Sequence, residues 1–389
     1  DETRLPECKT CPAGTYLSDT GTDGALHDSV DECIECPSDM VLDAAQTKCE
    51  VAPEWNCSGT PETAGEFGLS NDCTLRNQVM MYTGDMRITG RPTLTTIKAA
   101  ARNRHFEIMS ATLTIKWLNL TGEGNMNAKG GGSIYLTGTV ENSGQLYATS
   151  CWFVKNQAVY GNGGALHAQL NASITLVETN VSHNKITDAI DGKGGAGIAV
   201  TDGASLYMTG GKVSTNTVEN AHNGGGCYCE SGSCFFDHVS VENNAAVEGG
   251  GIYTKGGDLS IKASVISENS ASTGGGGVYV DGASVSMNDT TIQRNQATEA
   301  GGGIWMKDTT LEMFRCELLK NEIPAKECPA TKVCMGGGIF AYSNSTVSIV
   351  TIRESSFILN AAKKFKGHQM ASFVWGGNVE TVIVNTNIK

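Results

Sequence analysis

The sequence has few aromatic residues, few prolines and too few cations to balance its acids. Aromatic residues make up 6% of the 389, and 8 prolines stand against 48 glycines. Such a glycine content excludes an ordinary helical or doubly wound domain. Lys and Arg number 28 against 41 Asp and Glu, which gives a net charge of -13. Binding to nucleic acid or to an anionic membrane is not expected, because both need clustered cations.

Long apolar runs are also missing. No run approaches the roughly 18 residues that a membrane-spanning helix needs, so we expect no direct membrane span. Nothing at Asp1 resembles a signal peptide, and we interpret this start as a processed one.

Cysteine, by contrast, is frequent, and it occurs together with acceptor motifs for N-linked glycans. The chain has 14 cysteines, an even number, beside six Asn-x-Ser/Thr motifs. These two signals together predict a secreted, disulfide-bonded glycoprotein at the cell surface. The acceptor asparagines are Asn56, Asn119, Asn171, Asn180, Asn288 and Asn344.

The glycines belong to a repeat. From residue 249, three successive segments begin GGGIYTK, GGGGVYV and GGGIWMK, with a period of about 25 residues. Looser copies extend the repeat over residues 130–362. Within each unit, short runs of apolar residues alternate with period two, which predicts strands. Because one unit cannot bury its own apolar face, the sequence predicts an all-β, parallel β-helix solenoid, with right-handed coiling as the default.

Two columns of residues define the predicted core. One points inward and consists of Ile134, Leu166, Ile198, Cys227, Ile252, Val278, Ile304 and Ile339. The other ends each unit in an apolar-x-x-Asn motif. We predict a structural amide ladder for it, rather than a ligand site, because Asn tolerates left-handed corners and carries both a donor and an acceptor. The ladder residues are Asn156, Asn184, Asn216, Asn244, Asn269, Asn295, Asn321 and Asn360.

Aromatic side chains recur one step outward from the inward column. The residues at this position are Tyr135, His167, Ala199, Tyr228, Tyr253, Tyr279, Trp305 and Phe340. Two interpretations are open. The rings either stack only on one another and stabilise adjacent strands, or they form a contact face that binds sugars or another subunit.

A further outward column alternates in charge. It reads Thr201, Glu230, Lys255, Asp281, Lys307 and Tyr342. Glu230 and Asp281 would lie about 9.6 Å apart, near the spacing of an inverting glycosidase, but Lys255 between them favours cross-strand ion pairs. No HExxH, GxSxG or phosphate-loop motif occurs. We therefore predict no catalytic residue, no cofactor and no metal site, with a polysaccharide lyase or hydrolase as the remaining enzymatic alternative.

Twelve of the cysteines are predicted to form disulfides, although spacing does not fix the pairing. Cys57 with Cys73 would join the head to the helix, and Cys229 with Cys234 would close the ESGS turn, leaving Cys227 as a buried thiol. A metal site formed by Cys227, Cys229, Cys234 and His222 is the alternative. At least one bridge is expected around the insertion after residue 321. The twelve are Cys8, Cys11, Cys33, Cys36, Cys49, Cys57, Cys73, Cys229, Cys234, Cys316, Cys328 and Cys334.

Short motifs in the repeats resemble those of a known family. GGAL at 163–166, FVKN at 153–156 and FILN at 357–360 are similar to the tetrapeptides of the chlamydial polymorphic outer-membrane proteins. Gly-rich, Asn-ended repeats also resemble those of algal and protist surface proteins. The resemblance implies a β-helical region used in adhesion. The acceptor motifs and the cysteine-rich head depart from the bacterial pattern and favour a eukaryotic cell surface.

The head carries a second resemblance. CKTCPAGTY at 8–16 and CIEC at 33–36 are similar to the cysteine repeats of ephrin-receptor-like and TNF-receptor-like extracellular modules. The resemblance implies a small module held by disulfides, because so few apolar residues cannot build a core. A zinc site on the two CxxC pairs is the alternative.

These signals divide the chain into three parts and suggest a role. We predict a cysteine-rich module at 1–57, capping and irregular coils at 58–129, and β-helix repeats at 130–389. The expected function is that of an extracellular structural subunit of a fibre, appendage or wall-type assembly, which associates through its ends and a lateral face. The alternatives are a carbohydrate-binding or carbohydrate-cleaving protein and a cell adhesin. The closing VETVIVNTNIK resembles an uncapped strand, which predicts either that the chain continues or that this end docks on a partner.

Overall fold

A computed structural model describes most of the chain. The described residues are 15–17, 33–35, 40–42, 49–51, 53–58, 65–122, 130–139, 142–187, 194–219, 222–324, 335–344, 347–362, 370–372 and 379–388. They form a parallel β-solenoid of three sheets that run along its axis, which confirms the predicted fold class. No helix in these segments has the length and apolar character to cross a bilayer.

The first sheet has 11 parallel strands, one from each coil. Its strands are Val79–Met81, Phe106–Met109, Ile134–Thr137, Leu166–Ala168, Ile198–Thr201, Cys227–Glu230, Ile252–Lys255, Val278–Asp281, Ile304–Lys307, Ile339–Tyr342 and Met370–Ser372.

The second sheet has 22 strands, because most coils contribute two strands separated by a bend. Its strands are Gly65–Gly68, Cys73–Leu75, Asp85–Thr89, Thr95–Ala99, Thr112–Lys116, Leu118–Gly122, Gln145–Thr149, Trp152–Val154, Ser173–Ser182, Ser205–Ser214, Ser233–Asp237, Ser240–Glu242, Asp258–Lys262, Val265–Ser267, Ser284–Asn288, Thr291–Gln293, Thr310–Phe314, Glu317–Leu319, Ser348–Arg353, Ser356–Ile358, Val379–Val384 and Asn387–Ile388.

The third sheet is narrow, with 8 two-residue strands. They are Gln157–Ala158, Lys185–Ile186, Thr217–Val218, Ala245–Ala246, Ser270–Ala271, Gln296–Ala297, Glu322–Ile323 and Ala361–Ala362. Nearer the N-terminus, Thr15–Leu17 pairs antiparallel with Cys33–Glu35, and Met40–Leu42 pairs antiparallel with Cys49–Val51. The resemblance of the head to receptor modules stays a prediction, because the side chains of five of its six cysteines lie outside the described part of the chain.

The core is formed by the side chains that alternate inward from the first and second sheets. Ile252 pairs in register with Cys227 on one side and Val278 on the other, and all three are fully buried. The coils begin before residue 130, since Phe106 pairs with Ile134 in the same column. The segment predicted to contain irregular coils therefore continues the registers of the repeat region.

The corner between the second and third sheets differs from the prediction in one respect. The left-handed residue is not the ladder asparagine but the residue immediately before it, at φ between 53° and 57° in every coil. These residues are Lys155, His183, Thr215, Asn243, Glu268, Arg294, Lys320 and Leu359. Most are poorly suited to this conformation. The hydrogen bonds of the asparagine that follows hold the corner in place.

Candidate functional site

The outward aromatic column forms as a stack of rings on the first sheet. Tyr228, Tyr253, Tyr279 and Trp305 occupy successive coils in register. Their ring centroids lie 5.1, 5.0 and 4.1 Å apart, with interplanar angles of 10° or less. Phe340 continues the column at 6.1 Å from Trp305, at a tilt of 30°. Parallel pairing brings equivalent side chains close enough for this contact.

The column is not the exposed contact face that one interpretation predicted. Tyr135 and Tyr228 are 3% exposed and Phe340 is 8% exposed, and only Trp305 among the six predicted contact residues is half-buried. The chain that leads into these strands lies close beside the column at two positions. A Cβ added to Gly275 would lie 2.8 Å from the Cβ of Tyr279, and one added to Gly274 would lie 3.1 Å from Cδ1 of Trp305. The self-stacking interpretation fits the structure.

The phenol groups of this stack are hydrogen-bonded at its rim. Tyr228 donates to Glu230 and Tyr279 donates to Glu248, while Asn223 bonds both Tyr253 and Glu248. Burial raises the pKa of all three phenols well above its ordinary value, with the neighbouring carboxylates adding to the effect. Burial also raises the pKa of Glu248. The phenols therefore stay neutral and act as hydrogen-bonding groups, not as bases.

The column extends into the coil before Tyr135, outside the predicted repeats. Glu107 pairs in register with Tyr135, and the guanidinium of Arg104 lies 5.0 Å from the Tyr135 ring and 3.7 Å from the Glu107 carboxylate. Arg104 is fully buried, and burial lowers its pKa. A buried charge is usually indicated by the apolar residues around it. Arg104 lies outside the Gly-rich repeats from which the columns were predicted, so the repeat pattern did not indicate it.

The charged column is paired as the cross-strand interpretation predicted. Lys255 Nζ lies 3.9 Å from Glu230 Oε1, and Lys307 Nζ lies 3.6 Å from Asp281 Oδ1. Registered pairing carries the column from Thr201 through to Tyr342. Each of the two carboxylates has its own cation, so the column does not present two free carboxyl groups across a gap.

The asparagine column forms a continuous amide ladder in the interior. At Asn269, the backbone N–H and Nδ2 both donate to Asn295 Oδ1 at 3.0 Å, and Nδ2 also donates to Val241 O at 2.9 Å. Its Oδ1 accepts the equivalent two bonds from Asn244. The pattern repeats from Asn156 to Asn360. From Asn184 to Asn321 these amides are fully engaged with one another and with backbone carbonyls, which supports a structural role.

The cysteines behave in three ways. Cys57 bonds Cys73 and Cys229 bonds Cys234, and Cys227 is a buried free thiol, all as considered from sequence. The expected disulfide at Cys316 is wrong. Its thiol is unbonded and 2% exposed, and it donates to Met287 O at 3.3 Å, because the residue points into the core. Cys8, Cys11, Cys36, Cys328 and Cys334, and the side chains of Cys33 and Cys49, lie outside the described residues.

A metal centre is not formed by the residues that the structure describes. No group of three or more His, Cys, Asp or Glu side chains in those segments is arranged to hold an ion. The alternative site at Cys227, Cys229, Cys234 and His222 is therefore not supported, and two of its thiols form a disulfide.

The predicted glycan acceptors occupy two environments. Asn56, Asn171 and Asn344 are exposed, and Asn119, Asn180 and Asn288 are half-buried on strands of the second sheet. Their side chains share the outward face, opposite the buried residues that alternate with them. Glycosylation at these positions stays a prediction.

Comparison with known proteins identifies the architecture. The family model described as a right handed beta helix region matches residues 133–323 and 205–388. The two matches overlap and together reach over more than half of the chain, so the right-handed coiling expected from sequence is supported. No curated protein and no solved structure matches the chain.

Proposed function

Because the chain belongs to the right-handed β-helix family, we propose that it is a secreted structural subunit that assembles end to end into a cell-surface fibre, appendage or wall layer. A solenoid of this kind is held by contacts between neighbouring coils, so its stability extends along one axis and its ends are natural joining surfaces. The Cys57–Cys73 and Cys229–Cys234 disulfides support an oxidising, extracellular setting.

The observation that carries this proposal is the apolar strand Val379–Val384. It pairs with Ser348–Arg353 along one edge, and no strand among the described residues pairs with its other edge. Val382 is 48% exposed and Ile383 is 39% exposed. Ile383 continues the inward column of the fully buried Ile352. An unpaired apolar edge of this kind is a template for a further coil, which a second copy, or further residues of the same chain, would supply.

A catalytic role has less support on the outward face of the first sheet. Glu230 and Asp281, the carboxylates with the spacing nearest to a glycosidase pair, are each neutralised by a lysine of a neighbouring coil. Ion pairs directly across adjacent strands are the expected packing of such charges. We propose that the protein is not an enzyme and that these residues hold neighbouring coils in register.

Association of the purified, glycosylated protein tests the proposal. We expect its weight-average mass in sedimentation experiments to rise with concentration, and electron microscopy to show linear particles. Ile383→Lys should abolish the rise, because it places a charge where the next coil would stack. Thr351→Lys is the matched control, because it adds the same charge on the outward face one coil earlier. A wild-type protein that stays monomeric at high concentration contradicts the proposal.

Carbohydrate binding is the second candidate, on a surface other than the one considered from sequence. Tyr147 is 42% exposed and Tyr207 is 48% exposed on the second sheet, and the Tyr207 ring stacks on Phe235 at 4.8 Å. Exposed rings on a flat sheet suit stacking on sugars. A glycan array would show binding that Tyr207→Ala removes and that the buried Tyr253→Phe retains. Binding lost equally in both variants would contradict this placement.

A further inference from the structure

One exposed tryptophan on the second sheet lies between two predicted glycan acceptors. Trp152 is 45% exposed on the outward face of strand Trp152–Val154. It pairs in register with Asn119 of the preceding coil and with Asn180 of the following coil. Directly paired residues on one face have Cβ atoms only about 5 Å apart. All three side chains therefore leave the sheet side by side.

The two asparagines differ in how their amides are engaged. Asn119 Nδ2 faces Thr96 Oγ1 at 3.4 Å, on the side away from Trp152. The side chain of Asn180 makes no hydrogen bond to any described residue. Lys212, its neighbour on the far side, donates to Glu242 at 2.9 Å. The Asn180 amide nitrogen, to which a glycan would be joined, is thus free beside an exposed aromatic ring.

We propose that the Trp152 ring is the platform on which the first N-acetylglucosamine of a glycan on Asn180 stacks. The inference rests on the proposed function, because only a secreted chain receives such a glycan. The C–H face of a pyranose ring is apolar and the face of an indole carries negative charge density, so the two attract each other while the hydroxyl edges of the sugar stay in water. The glycan covers a ring that would otherwise be an exposed apolar surface.

A related pairing occurs at a second acceptor, Asn288, whose Nδ2 donates to Ser286 Oγ at 3.1 Å. Asn288 pairs in register with Phe314 of the next coil, and both are half-buried on the outward face of the second sheet. The Phe314 ring already carries the guanidinium of Arg315 on one face, at 4.3 Å. An acceptor asparagine beside an outward aromatic residue thus recurs four coils farther along the solenoid.

A double-mutant cycle in a eukaryotic secretion host tests the platform. The cycle combines Trp152→Ala with Ser182→Ala, which removes the acceptor motif and leaves Asn180 in place. All proteins carry high-mannose glycans trimmed with an endoglycosidase to one N-acetylglucosamine per site, and glycopeptide mass spectrometry measures occupancy. We expect Ser182→Ala to lower the folding equilibrium constant about 3- to 10-fold more when Trp152 is present than in the Trp152→Ala background.

The control is Asn344→Gln, which removes an exposed acceptor that has no aromatic residue paired in register among the described strands. Its effect should be the same with and without Trp152. An unoccupied Asn180, or an occupied one whose removal gives additive effects, overturns the inference and leaves the proposed function standing. If none of the six acceptors is occupied, the secreted setting fails together with the inference.

Discussion

Removing one amide from the middle of the asparagine ladder should destabilise the solenoid strongly. In Asn269→Ala, the Oδ1 atom that accepts from the backbone N–H and the Nδ2 of Asn244 disappears. Asn244 Nδ2 keeps its bond to Val213 O, but its other hydrogen and the backbone N–H are left without acceptors in the core. The side chain of Asn269 also loses its own bonds to Asn295 and Val241.

The magnitude follows from the two buried donors left unpaired. Each costs about 1–3 kcal/mol, whereas an ordinary hydrogen bond contributes only about 1 kcal/mol net. Asn269 is 1% exposed, so water cannot replace the lost acceptor without entering the core. We expect a loss of about 3–5 kcal/mol in the free energy of unfolding.

The same substitution at the start of the ladder is the control. Asn156 Oδ1 accepts no hydrogen bond, so Asn156→Ala orphans no donor. Asn184 Oδ1 still accepts from the backbone N–H of residue 156. We expect a loss of only about 1–2 kcal/mol there.

Native-state hydrogen exchange is the suitable assay, because a solenoid unfolds through local units and a single global transition is not assured. The amide of residue 244 should exchange faster in Asn269→Ala by the factor that corresponds to the lost free energy, together with its neighbours in the same coils. Equal effects of the two substitutions, or a loss below about 1 kcal/mol at Asn269, would refute the argument from orphaned donors.

Three further predictions concern buried groups and a close contact. Burial raises the pKa of the Cys227 thiol to about 12. The contribution of this thiol to stability is therefore fully present below its ordinary pKa and is lost as pH rises from there towards 12. Denaturant titrations over this range should show a weaker fall in stability for Cys227→Ala. Burial lowers the pKa of His105 to about 4, so stability present above pH 6.5 should fall by up to about 3 kcal/mol as pH drops to 4, and His105→Gln should remove most of that dependence. Gly251→Ala should destabilise the fold by about 2 kcal/mol or more, since its Cβ would lie 2.6 Å from Gly277 O. Gly282→Asn is the control and should leave the unfolding midpoint almost unchanged, because Gly282 has φ +64° and no atom lies within 4 Å of an added Cβ.

The repeat made the solenoid and its inward columns predictable. Period-two alternation identifies Ile252 and Val278 as core residues, and the spacing of the terminal asparagines identifies Asn269 and Asn295 as neighbours in space. The left-handed corner lies one position before the predicted one. The residues at that position differ in chemical type from coil to coil, so the sequence does not mark it. Glu268, for example, adopts φ 56°, a conformation costly for such a residue. The conformational preference of Glu268 does not predict this φ, because it is the hydrogen bonds of Asn269 in the ladder that offset the conformational cost.

The aromatic column shows that the direction of a side chain does not determine its exposure. Period-two alternation correctly gave Tyr253 and Tyr279 an outward direction, but outward does not mean exposed when another layer of chain crosses the same face. A glycine in the run at the start of each unit lies four residues before the aromatic position, as Gly249 does for Tyr253 and Gly275 for Tyr279. It adopts a left-handed φ near 60°, and a Cβ added to it would lie within 3 Å of Cα of Tyr253 or Cβ of Tyr279.

A Cβ at this glycine would collide first with the carbonyl of the residue three positions later; at Gly249 it would lie 2.5 Å from Ile252 O. The position therefore requires glycine. The spacing of a glycine and an aromatic residue does not by itself indicate a buried ring, since Gly203 lies four residues before Tyr207, which is 48% exposed. Exposure nevertheless separates the two sheets. Tyr147, Trp152 and Tyr207 on the second sheet are each more than 40% exposed, whereas the aromatic column of the first sheet is buried except for the half-buried Trp305. Contacts with sugars or partners should therefore be sought on the second sheet, and substitutions in the aromatic column of the first sheet should act through stability.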